Sequence, residues 1–405
     1  MALNPLFEFT DAEKRILRSN QELAQARLSP HACHDNQAIR ERCEHYFDED
    51  VYLARPPFVV DVEKIMHNPF YSRCADKTQV FSLVRNDDVT RRSFHLQVVS
   101  RVGRTIGMAL GLNLDLIEAI SIGHDLGHTP FGHEGERYLS KLYHERTGRY
   151  FNHNVHSVRL LRTMADANLC LQTYNGILAH CGEKAFVEYR PTPCDSFAQL
   201  DALLEGCYED QAKIGDLRPS TLEGCVVRIS DIIAYVGKDR QDAARVHLKE
   251  LDSYQESPLV GTLNHEIIRN LTRNIIKNSL GCDYIAMDPE VFEAIDAIRR
   301  ENYRDIYETD FVRSRIAPME EMMSKLYQRF IDDIAAGDES SPIFRHHVCN
   351  AFMRHDYRWE LEHRPDDIVV DYIASMTDDY FVELHRHLFP DDPVNQLVRY
   401  EPYFK

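Results

Sequence analysis

The sequence predicts an all-α protein, and two observations lead to this class. Apolar side chains recur every three or four positions through most of the 405-residue chain, which is the period of one helix face. Segments with the alternating pattern of a strand are few and short. Hydrophobic residues make up 43% of the chain, and Pro and Gly are scattered without a low-complexity tract, so a folded core is expected.

The first strong helical stripe begins at a histidine. His95, Val99, Val102, Ile106 and Leu110 follow one another at intervals of four, three, four and four, and so share one face of a helix. The pattern therefore places His95 on the face that is predicted to be buried.

A second stripe ends in another histidine. Ile117, Ile120 and His124 lie on one face of LDLIEAISIGHDLG, and Gly127 supplies a stop signal for the helix. His124 is thus predicted to point inward.

Two further helices follow along the chain. One is predicted from about residue 154 to 166, with His153 near its start. The other covers CVVRISDIIAYVGKDRQDAARV, whose apolar residues share one side. Four polar residues share its other face: Asp231, Tyr235, Lys238 and Asp242. By itself such a face is a solvated surface, so a binding role needs separate evidence.

The remaining segments complete the helical pattern. Residues 182–222 contain several prolines and glycines and are predicted to form loops and short helices. From about residue 287 the helical pattern returns, in DPEVFEAIDAIRRENYRDIY and in DIVVDYIASMTDDYFVELHRHLF. The length of the chain favours one large core with additional helical lobes.

The charge balance limits the classes of partner. Asp and Glu number 65 and Lys and Arg number 47, which gives a net charge of −18. Nucleic acid is therefore not an expected partner, and a polyanionic substrate would need a local basic pocket. No apolar run approaches the roughly 20 residues that span a bilayer, and the N-terminus is charged where a signal peptide is apolar. We expect a soluble, cytoplasmic protein without a membrane partner.

The stretch GHDLGHTPFGHEGE, residues 123–136, is the densest chemical signal. Asp125 adjoins the inward-pointing His124, and a buried carboxylate is costly unless it is paired or bound to a cation. Imidazole and carboxylate groups together suit several divalent metals. A metal held by His95, His124, Asp125 and Asp231 explains all four side chains. The alternative is a set of hydrogen-bonded core residues without a metal.

The order H…HD…D, with GHDLGHTPFGHEGE around the pair, resembles the HD phosphohydrolases, and within them the deoxynucleoside triphosphate triphosphohydrolases. The likeness extends to RPPFVVDVEKIMHNPFYSRCADKTQVF, RRSFH, RISDIIAYVGKDRQDA and DYIASMTDDYFVELHRHLF, the last of which is similar to the family's closing helix. On this basis we expect an N-terminal helical extension over residues 1–50, an HD-domain helical core over 51–250, and a C-terminal helical region packed on the core over 251–405.

The resemblance implies a specific reaction, which the spacing of the histidines and aspartates does not predict. It is the hydrolysis of a deoxynucleoside triphosphate at its α-phosphorus, which yields the deoxynucleoside and inorganic triphosphate. A bound divalent metal would polarise a phosphoryl oxygen and lower the pKa of a water molecule. The ligand types leave the metal open among Mg, Mn, Fe, Co, Ni and Zn.

The resemblance also implies catalytic roles near the metal. His133 is assigned as the general acid for the leaving 5′-oxygen, and Glu136, three residues later, as its orienting partner. His128 and His153 match family histidines that face the phosphates, and we count His128 with the catalytic residues.

The substrate-binding residues are likewise carried over from the resemblance. Arg92 matches a phosphate-binding arginine, Tyr235 and Asp239 match residues beside the deoxyribose, and Arg73 is expected near the sugar. The Tyr235 ring would exclude a ribonucleotide by crowding its 2′-hydroxyl. One position departs from the pattern, because Ile232 stands where some relatives carry a phosphate-binding lysine.

Two alternative functions remain open. An HD phosphohydrolase acting on nucleoside monophosphates or cyclic nucleotides would release phosphate or a linear monophosphate. A regulatory nucleotide-binding HD protein would return its ligand intact, although such a protein has no need of the acid His133. Since relatives are commonly oligomers and some are activated by nucleotides, a homo-oligomer and a nucleotide effector are expected beside the deoxynucleoside triphosphate. The sequence does not predict which base is preferred.

Overall fold

The computed structural model describes residues 8–43, 53–181, 185–350 and 353–402. Within these ranges it confirms the all-α class, since its one sheet is an antiparallel pair of two-residue strands, β1 (Glu188–Tyr189) and β2 (Ile285–Ala286). The α-helices are, in chain order, α1 (Asp11–Gln25), α2 (Pro57–Met66), α3 (Pro69–Arg73), α4 (Arg92–Leu110), α5 (Leu114–Gly123), α6 (Gly132–Thr147), α7 (His153–Arg159), α8 (Leu171–Leu178), α9 (Phe197–Glu209), α10 (Leu222–Arg245), α11 (Asn264–Ser279), α12 (Pro289–Asn302), α13 (Asp310–Ala336), α14 (Arg358–His363), α15 (Pro365–Ala374) and α16 (Asp378–Leu388).

Helices α4, α5 and α10 form the centre of one hydrophobic core. Helix α4 packs along both of the others. Gly107 allows the close approach to α5, because a Cβ atom there would lie 2.2 Å from Cδ1 of Ile117. The stripe predicted on α4 is buried, with His95 3% exposed and Ile106 fully enclosed. Helical periodicity therefore identified the buried face of α4 correctly.

A second hydrophobic core involves α6, α13, α15 and α16. Met319, Met322 and Met323 of α13 are fully buried in it. A bidentate ion pair links this region to α7, since Arg159 donates from Nε and Nη2 to the two carboxylate oxygens of Asp371, each over 2.7 Å. The charge of the buried Asp371 is thereby compensated.

The closing segment is two helices instead of the single helix suggested by the resemblance. Helix α15 ends at Ala374, and Thr377 has the extended backbone of an N-cap residue. Its side-chain oxygen accepts a hydrogen bond from the Tyr380 backbone N–H over 3.3 Å. A threonine cap of this kind starts a new helix, so α16 begins at Asp378.

The predicted division at residues 50 and 250 stays a prediction. Residues 1–7 and 44–50 of the expected N-terminal extension lie outside the described residues, and α1 buries none of its side chains. In the described part of the chain, every helix is too short or too polar to cross a bilayer.

Candidate functional site

The candidate site lies where the first turns of α4, α6 and α7 meet the turn that follows α5. Arg92 and His95 stand at the start of α4, His124 is the C-cap residue of α5, and His153 begins α7. Asp231, from the middle of α10, faces the same point. A cavity of about 360 Å³ opens here, which is within the range of small-molecule pockets.

Backbone contact holds the turn after α5 against α7. The Gly127 N–H donates to Ser157 Oγ over 2.9 Å, and that hydroxyl donates to the carbonyl of His124 over 2.6 Å. A Cβ atom on Gly127 would lie 2.3 Å from the Ser157 nitrogen and 2.4 Å from the His153 carbonyl oxygen. The absence of a side chain therefore lets α7 bring His153 within 4.0 Å of Asp125, measured from Nε2 to Oδ1.

The structure brings the four predicted metal ligands together. His95 Nε2 is 2.9 Å from Asp231 Oδ1 and 4.0 Å from Asp125 Oδ2. His124 Nε2 is 3.6 Å from Asp125 Oδ1 and 3.8 Å from Asp231 Oδ1. All four residues are buried. The set converges from three separate elements on one small volume.

His124 shows why this set fits a divalent ion. Its Nδ1 lies 2.7 Å from the Ser121 carbonyl oxygen, which can only accept, so the proton sits on Nδ1 and Nε2 presents a lone pair. That buried Nε2 has no hydrogen-bond partner among the described residues. An unpartnered nitrogen aimed at two carboxylates is what a metal ligand requires.

The electrostatics of the site keep Asp125 and His124 in their ligating forms. Burial raises the pKa of a carboxyl, but the neighbouring imidazoles of His124 and His128 and the Arg92 guanidinium outweigh it and hold the pKa of Asp125 well below its usual range. Burial lowers the pKa of His124. An ionised carboxylate and a neutral imidazole are the forms that bind metals.

Glu136 has a partner that its spacing did not predict. Its Oε1 accepts a hydrogen bond from the His153 backbone N–H over 2.9 Å, and its Oε2 lies 2.8 Å from His153 Nδ1. The carboxylate therefore orients His153, because the start of α7 crosses the first turn of α6. The predicted orientation of His133 by the same carboxylate stays a prediction, although His133 and Glu136 belong to one cluster of possible ligands.

Three histidines form one wall of the cavity. The rings of His128 and His153 are stacked with their centroids 3.8 Å apart, and His133 meets His128 edge-on at 4.9 Å. His128 and His153 are buried, whereas His133 is exposed at the cavity.

His180 is a site residue that the sequence reasoning missed. It lines the cavity, it is 1% exposed, and its Nε2 lies 3.2 Å from His153 Nε2. The available signal was the one that identified His95, since His180 continues the buried stripe of Tyr174 and Ile177 on α8.

The cavity lining also includes the predicted sugar-binding residues. Tyr235 and Asp239 both line it, and Tyr307, which was not predicted, donates to Asp239 Oδ2 over 2.6 Å. Burial raises the pKa of Asp239 to about 7. Arg299 donates from Nε to the Tyr235 hydroxyl over 3.2 Å and so fixes the ring. Of the polar face predicted on α10, Asp231 and Tyr235 are thus part of the cavity wall, whereas Lys238 and Asp242 pair with each other over 3.3 Å.

The two predicted arginines have different locations. Arg92 lines the cavity and donates to the Asp125 carboxylate. Arg73 does not line the cavity, and the expectation that it lies near the sugar is not supported by its position. It donates to the carbonyl oxygen of Ser375 over 2.8 Å and packs over the ring of Phe70. Its place at the end of the short helix α3 directs it toward α15.

Comparison with known families agrees with this geometry. Residues 92–235 match the family model of the HD domain, and these residues include all four predicted metal ligands. Residues 285–387 match the model of a phosphohydrolase-associated domain. The chain is therefore an HD-domain phosphohydrolase, a class whose domain binds divalent metals.

Curated relatives narrow the class to one family. A deoxyguanosinetriphosphate triphosphohydrolase-like protein of Caldanaerobacter subterraneus subsp. tengcongensis is 30% identical over 94% of this chain and 97% of its own length. A protein of the same description from Clostridium perfringens (strain SM101 / Type A) is 31% identical over 85% of this chain and 89% of its own. The chain belongs to the deoxyguanosinetriphosphate triphosphohydrolase-like family.

A solved structure of a phosphohydrolase from Bacteroides thetaiotaomicron is also similar. It is 16% identical, with a TM-score of 0.46, and the match covers 83% of this chain and 70% of that one.

Proposed function

We propose that the protein hydrolyses deoxynucleoside triphosphates to the deoxynucleoside and triphosphate in a reaction that depends on a divalent metal. One observation carries this proposal. The set of His95, His124, Asp125 and Asp231 lies at the same cavity as the pair of Tyr235 and Asp239, which follow Asp231 by one and two turns of α10. A metal-assisted phosphohydrolase site is thereby combined with groups suited to a sugar.

A metal bound by the four residues would supply Lewis-acid activation of a water molecule and neutralise charge on the phosphate oxygens. The remaining contacts with the phosphates are made by side chains. Arg92, buried beside Asp125, contributes positive charge toward the phosphates. His128 and His153 line the same wall. These residues would form the local basic pocket that a protein of net negative charge needs in order to bind a polyanionic substrate.

The proton transfer is assigned to His133. When the water oxygen bonds to the α-phosphorus, the bond between phosphorus and the 5′-oxygen breaks, and that oxygen must gain a proton. His133 lines the cavity and is exposed within it, so its imidazolium can reach a bound substrate. The products are then the free 5′-hydroxyl of the deoxynucleoside and triphosphate.

We assign the binding of the deoxyribose to Tyr235, Asp239 and Tyr307. The Asp239 carboxylate, held by the Tyr307 hydroxyl, can accept the proton of a 3′-hydroxyl. The Tyr235 ring, fixed by Arg299, is placed to crowd a 2′-hydroxyl. Both contacts would favour a deoxyribonucleotide.

Product analysis tests the proposal. The protein, freed of metal with a chelator, is incubated with Mn²⁺ or Mg²⁺ and with each of the four deoxynucleoside triphosphates, singly and mixed. Chromatography should detect the deoxynucleoside and tripolyphosphate. Nucleoside monophosphates and 3′,5′-cyclic nucleotides serve as comparison substrates. Phosphate or a linear monophosphate as the only product, or intact nucleotide throughout, would refute the proposal.

A variant links the activity to the metal. Asp125→Ala removes a ligand, so the turnover should fall by more than about 100-fold, since loss of a ligand exceeds the 10- to 100-fold effect of residues that merely orient ligands. Metal content, measured by inductively coupled plasma mass spectrometry, should fall with it. The exposed Asp252→Ala is the matched control and should keep both.

A further inference from the structure

A buried carboxylate of the C-terminal region contacts the segment 128–131, which leads from His128 to the start of α6. Asp378, the first residue of α16, is 4% exposed. Its Oδ1 accepts a hydrogen bond from the Phe131 backbone N–H over 3.1 Å, and its Oδ2 accepts one from the Thr78 hydroxyl over 2.5 Å. Asp378 lies within the match to the phosphohydrolase-associated domain, and Phe131 lies within the match to the HD domain. One side chain thus joins the two regions beside the cavity.

Phe131 has a backbone conformation that needs support. Its φ of 65° and ψ of 22° lie in the left-handed region, which is unfavourable for a residue with a Cβ atom. Such conformations persist where the surrounding structure fixes them, and they cluster at functional sites. Phe131 is the N-cap residue of α6, so its conformation sets the direction in which that helix leaves the segment.

Helix α16 makes a second contact with the same residue. The rings of Phe131 and Phe381 meet edge-on with their centroids 5.3 Å apart, and both are buried. Asp378 and Phe381 are three positions apart and therefore neighbours on one face of α16. The first turn of α16 holds both the backbone and the side chain of Phe131.

The other end of the segment is held from the same direction. The buried Lys77 donates from Nζ to the carbonyl oxygen of His128, and to that of Ala374 over 2.8 Å. Ala374 ends α15, and Thr78, which donates to Asp378, follows Lys77 in the chain. The segment 128–131 is therefore fixed against the junction of α15 and α16 at both of its ends.

The helix that begins at this segment carries His133. His133 is the second residue of α6 and lines the cavity, two positions after Phe131. A change in the Phe131 backbone would therefore redirect the His133 side chain. A general acid must lie within hydrogen-bonding distance of the oxygen that it protonates. A displacement of about 1 Å can lower a rate by roughly 100-fold.

We propose that Asp378 is a positioning residue for His133 and acts through the Phe131 backbone. Asp378 itself does not line the cavity, so the phosphohydrolase-associated domain contributes to the chemical step without touching the substrate. This inference rests on the proposed function, in which His133 gives a proton to the 5′-oxygen.

Two substrates separate a misplaced acid from general damage to the site. One is the deoxynucleoside triphosphate that the wild type hydrolyses fastest, and the other is its analogue with sulfur in place of the bridging 5′-oxygen. When the bond between phosphorus and sulfur breaks, the sulfur leaves as a thiolate and needs no donated proton, because a thiol has a pKa of only about 8.5. A variant with a misplaced acid therefore loses activity with the oxygen substrate alone.

Asp378→Ala should show this selective loss in the full-length, metal-loaded protein. Its kcat for the oxygen substrate should fall by about 10- to 100-fold, which is part of the effect of a general acid. Its KM and its activity on the sulfur analogue should be unchanged, because the metal and phosphate contacts remain. His133→Ala should show the same selectivity with a larger loss.

Two variants serve as controls. In Asp378→Asn the amide oxygen can accept from the Phe131 N–H, and the NH2 group can donate to the Thr78 hydroxyl, so this conservative change should restore the activity. Asp379→Ala removes the same charge from the same first turn of α16, but Asp379 is exposed and does not contact Phe131. Asp379→Ala should behave as the wild type.

Hydrogen exchange tests the contact without reference to activity. Deuterium uptake is measured by mass spectrometry in peptides that span residues 129–136. It should rise in Asp378→Ala and stay unchanged in Asp378→Asn and Asp379→Ala, because only the first variant lacks an acceptor for the Phe131 N–H. Circular dichroism checks folding. If Asp378→Ala does not fold, Thr78→Val takes its place in both tests, since it removes the hydroxyl that orients the carboxylate and should show the same selective loss.

The outcomes distinguish this inference from the proposed function. A wild type that releases no deoxynucleoside refutes the proposed function and this role with it. Equal losses on both substrates in His133→Ala refute the assignment of the acid. A selective loss in His133→Ala, with equal losses or none in Asp378→Ala, overturns the positioning role alone. Unchanged deuterium uptake in folded Asp378→Ala overturns it as well.

Discussion

At the scale of single residues, the site depends on which hydrogen bonds its buried polar atoms make. The ring nitrogens of His124 and His180 that do not face the cavity donate to carbonyl oxygens one helical turn earlier, those of Ser121 and Ile177. This arrangement points both Nε2 atoms to the Asp125 carboxylate. The rings are held before any ligand arrives, so less ordering is needed on binding.

Tyr235 is expected to determine selection against ribonucleotides. Its ring lines the cavity and is held by Arg299, so it cannot easily move away from a 2′-hydroxyl. Tyr235→Ala should lower the ratio of kcat/KM for a deoxynucleotide to that for the matching ribonucleotide by roughly 10- to 100-fold. The ratio is measured by product chromatography with the two substrates of one base.

Tyr303→Ala provides the control for that measurement. Tyr303 also lines the cavity, but it is 46% exposed and comes from the segment after α12. Its loss should leave the ratio unchanged, since Tyr235 and not Tyr303 is assigned to crowd the 2′-hydroxyl. An unaltered ratio in Tyr235→Ala would contradict the assignment of Tyr235.

At the scale of elements, the site depends on the contact between the turn after α5 and helix α7. The Ser157 hydroxyl bridges the two, accepting from the Gly127 N–H and donating to the His124 carbonyl. Since the backbones are this close, α7 can present His153 beside Asp125, at 4.0 Å between Nε2 and Oδ1.

Gly127→Ala should therefore separate the two elements. The new Cβ would meet backbone atoms at 2.3 Å and 2.4 Å, and backbone cannot rotate away as a side chain can. We expect the free energy of unfolding to fall by about 1–3 kcal/mol, with weaker metal binding because the turn that carries His124 and Asp125 is displaced. Urea unfolding and a metal titration measure the two effects.

Gly206→Ala is the matched control for this change. Gly206 lies in α9, and a Cβ there would meet only the flexible side chain of Lys213, at 3.1 Å. Alanine has the higher helix propensity, so this variant should be at least as stable as the wild type. Equal stability of Gly127→Ala and the wild type would show that the close contact is unimportant.

At the scale of the whole molecule, buried polar groups link the second core to the HD domain. Asp371 of α15 pairs with Arg159 of α7, and it also accepts from the Tyr357 hydroxyl over 3.3 Å. His156 and His347 are buried nearby. Burial lowers the pKa of His156 to about 4 and that of His347 to about 3.

These histidines predict that acid destabilises the protein. Below pH 6.5 His347 is protonated in the unfolded chain, whereas in the folded protein it stays neutral until the pH approaches 3. The free energy of unfolding therefore falls as the pH falls toward 3. The loss from His347 is about 1.4 kcal/mol per pH unit, or about 2 kcal/mol at pH 5. In His347→Gln, which cannot take up that proton, the difference in stability between pH 7 and pH 5 should be smaller by this amount.

Urea unfolding of chelator-treated protein at the two pH values measures the effect. The exposed His265→Gln should show the same pH dependence as the wild type. If His347→Gln loses as much stability as the wild type between pH 7 and pH 5, His347 is not a source of the acid sensitivity.

The sequence by itself determined the helical class, the inward positions of His95 and His124 and the family. His95 and His124 could be identified as inward-pointing because the period of a helix is a local property, readable from side chains three or four positions apart. The ordered motifs between Arg92 and Asp239 then identified an HD phosphohydrolase, and the family comparisons confirm it.

Only the tertiary structure decided which distant side chains meet. It brought Glu136 to His153, added His180 and Tyr307 to the cavity, and directed Arg73 toward Ser375. These contacts join residues on different helices, so they depend on crossing angles and on backbone approaches such as that at Gly127. Periodicity along one helix specifies the face that is buried, whereas the partner of that face is set by how the helices pack.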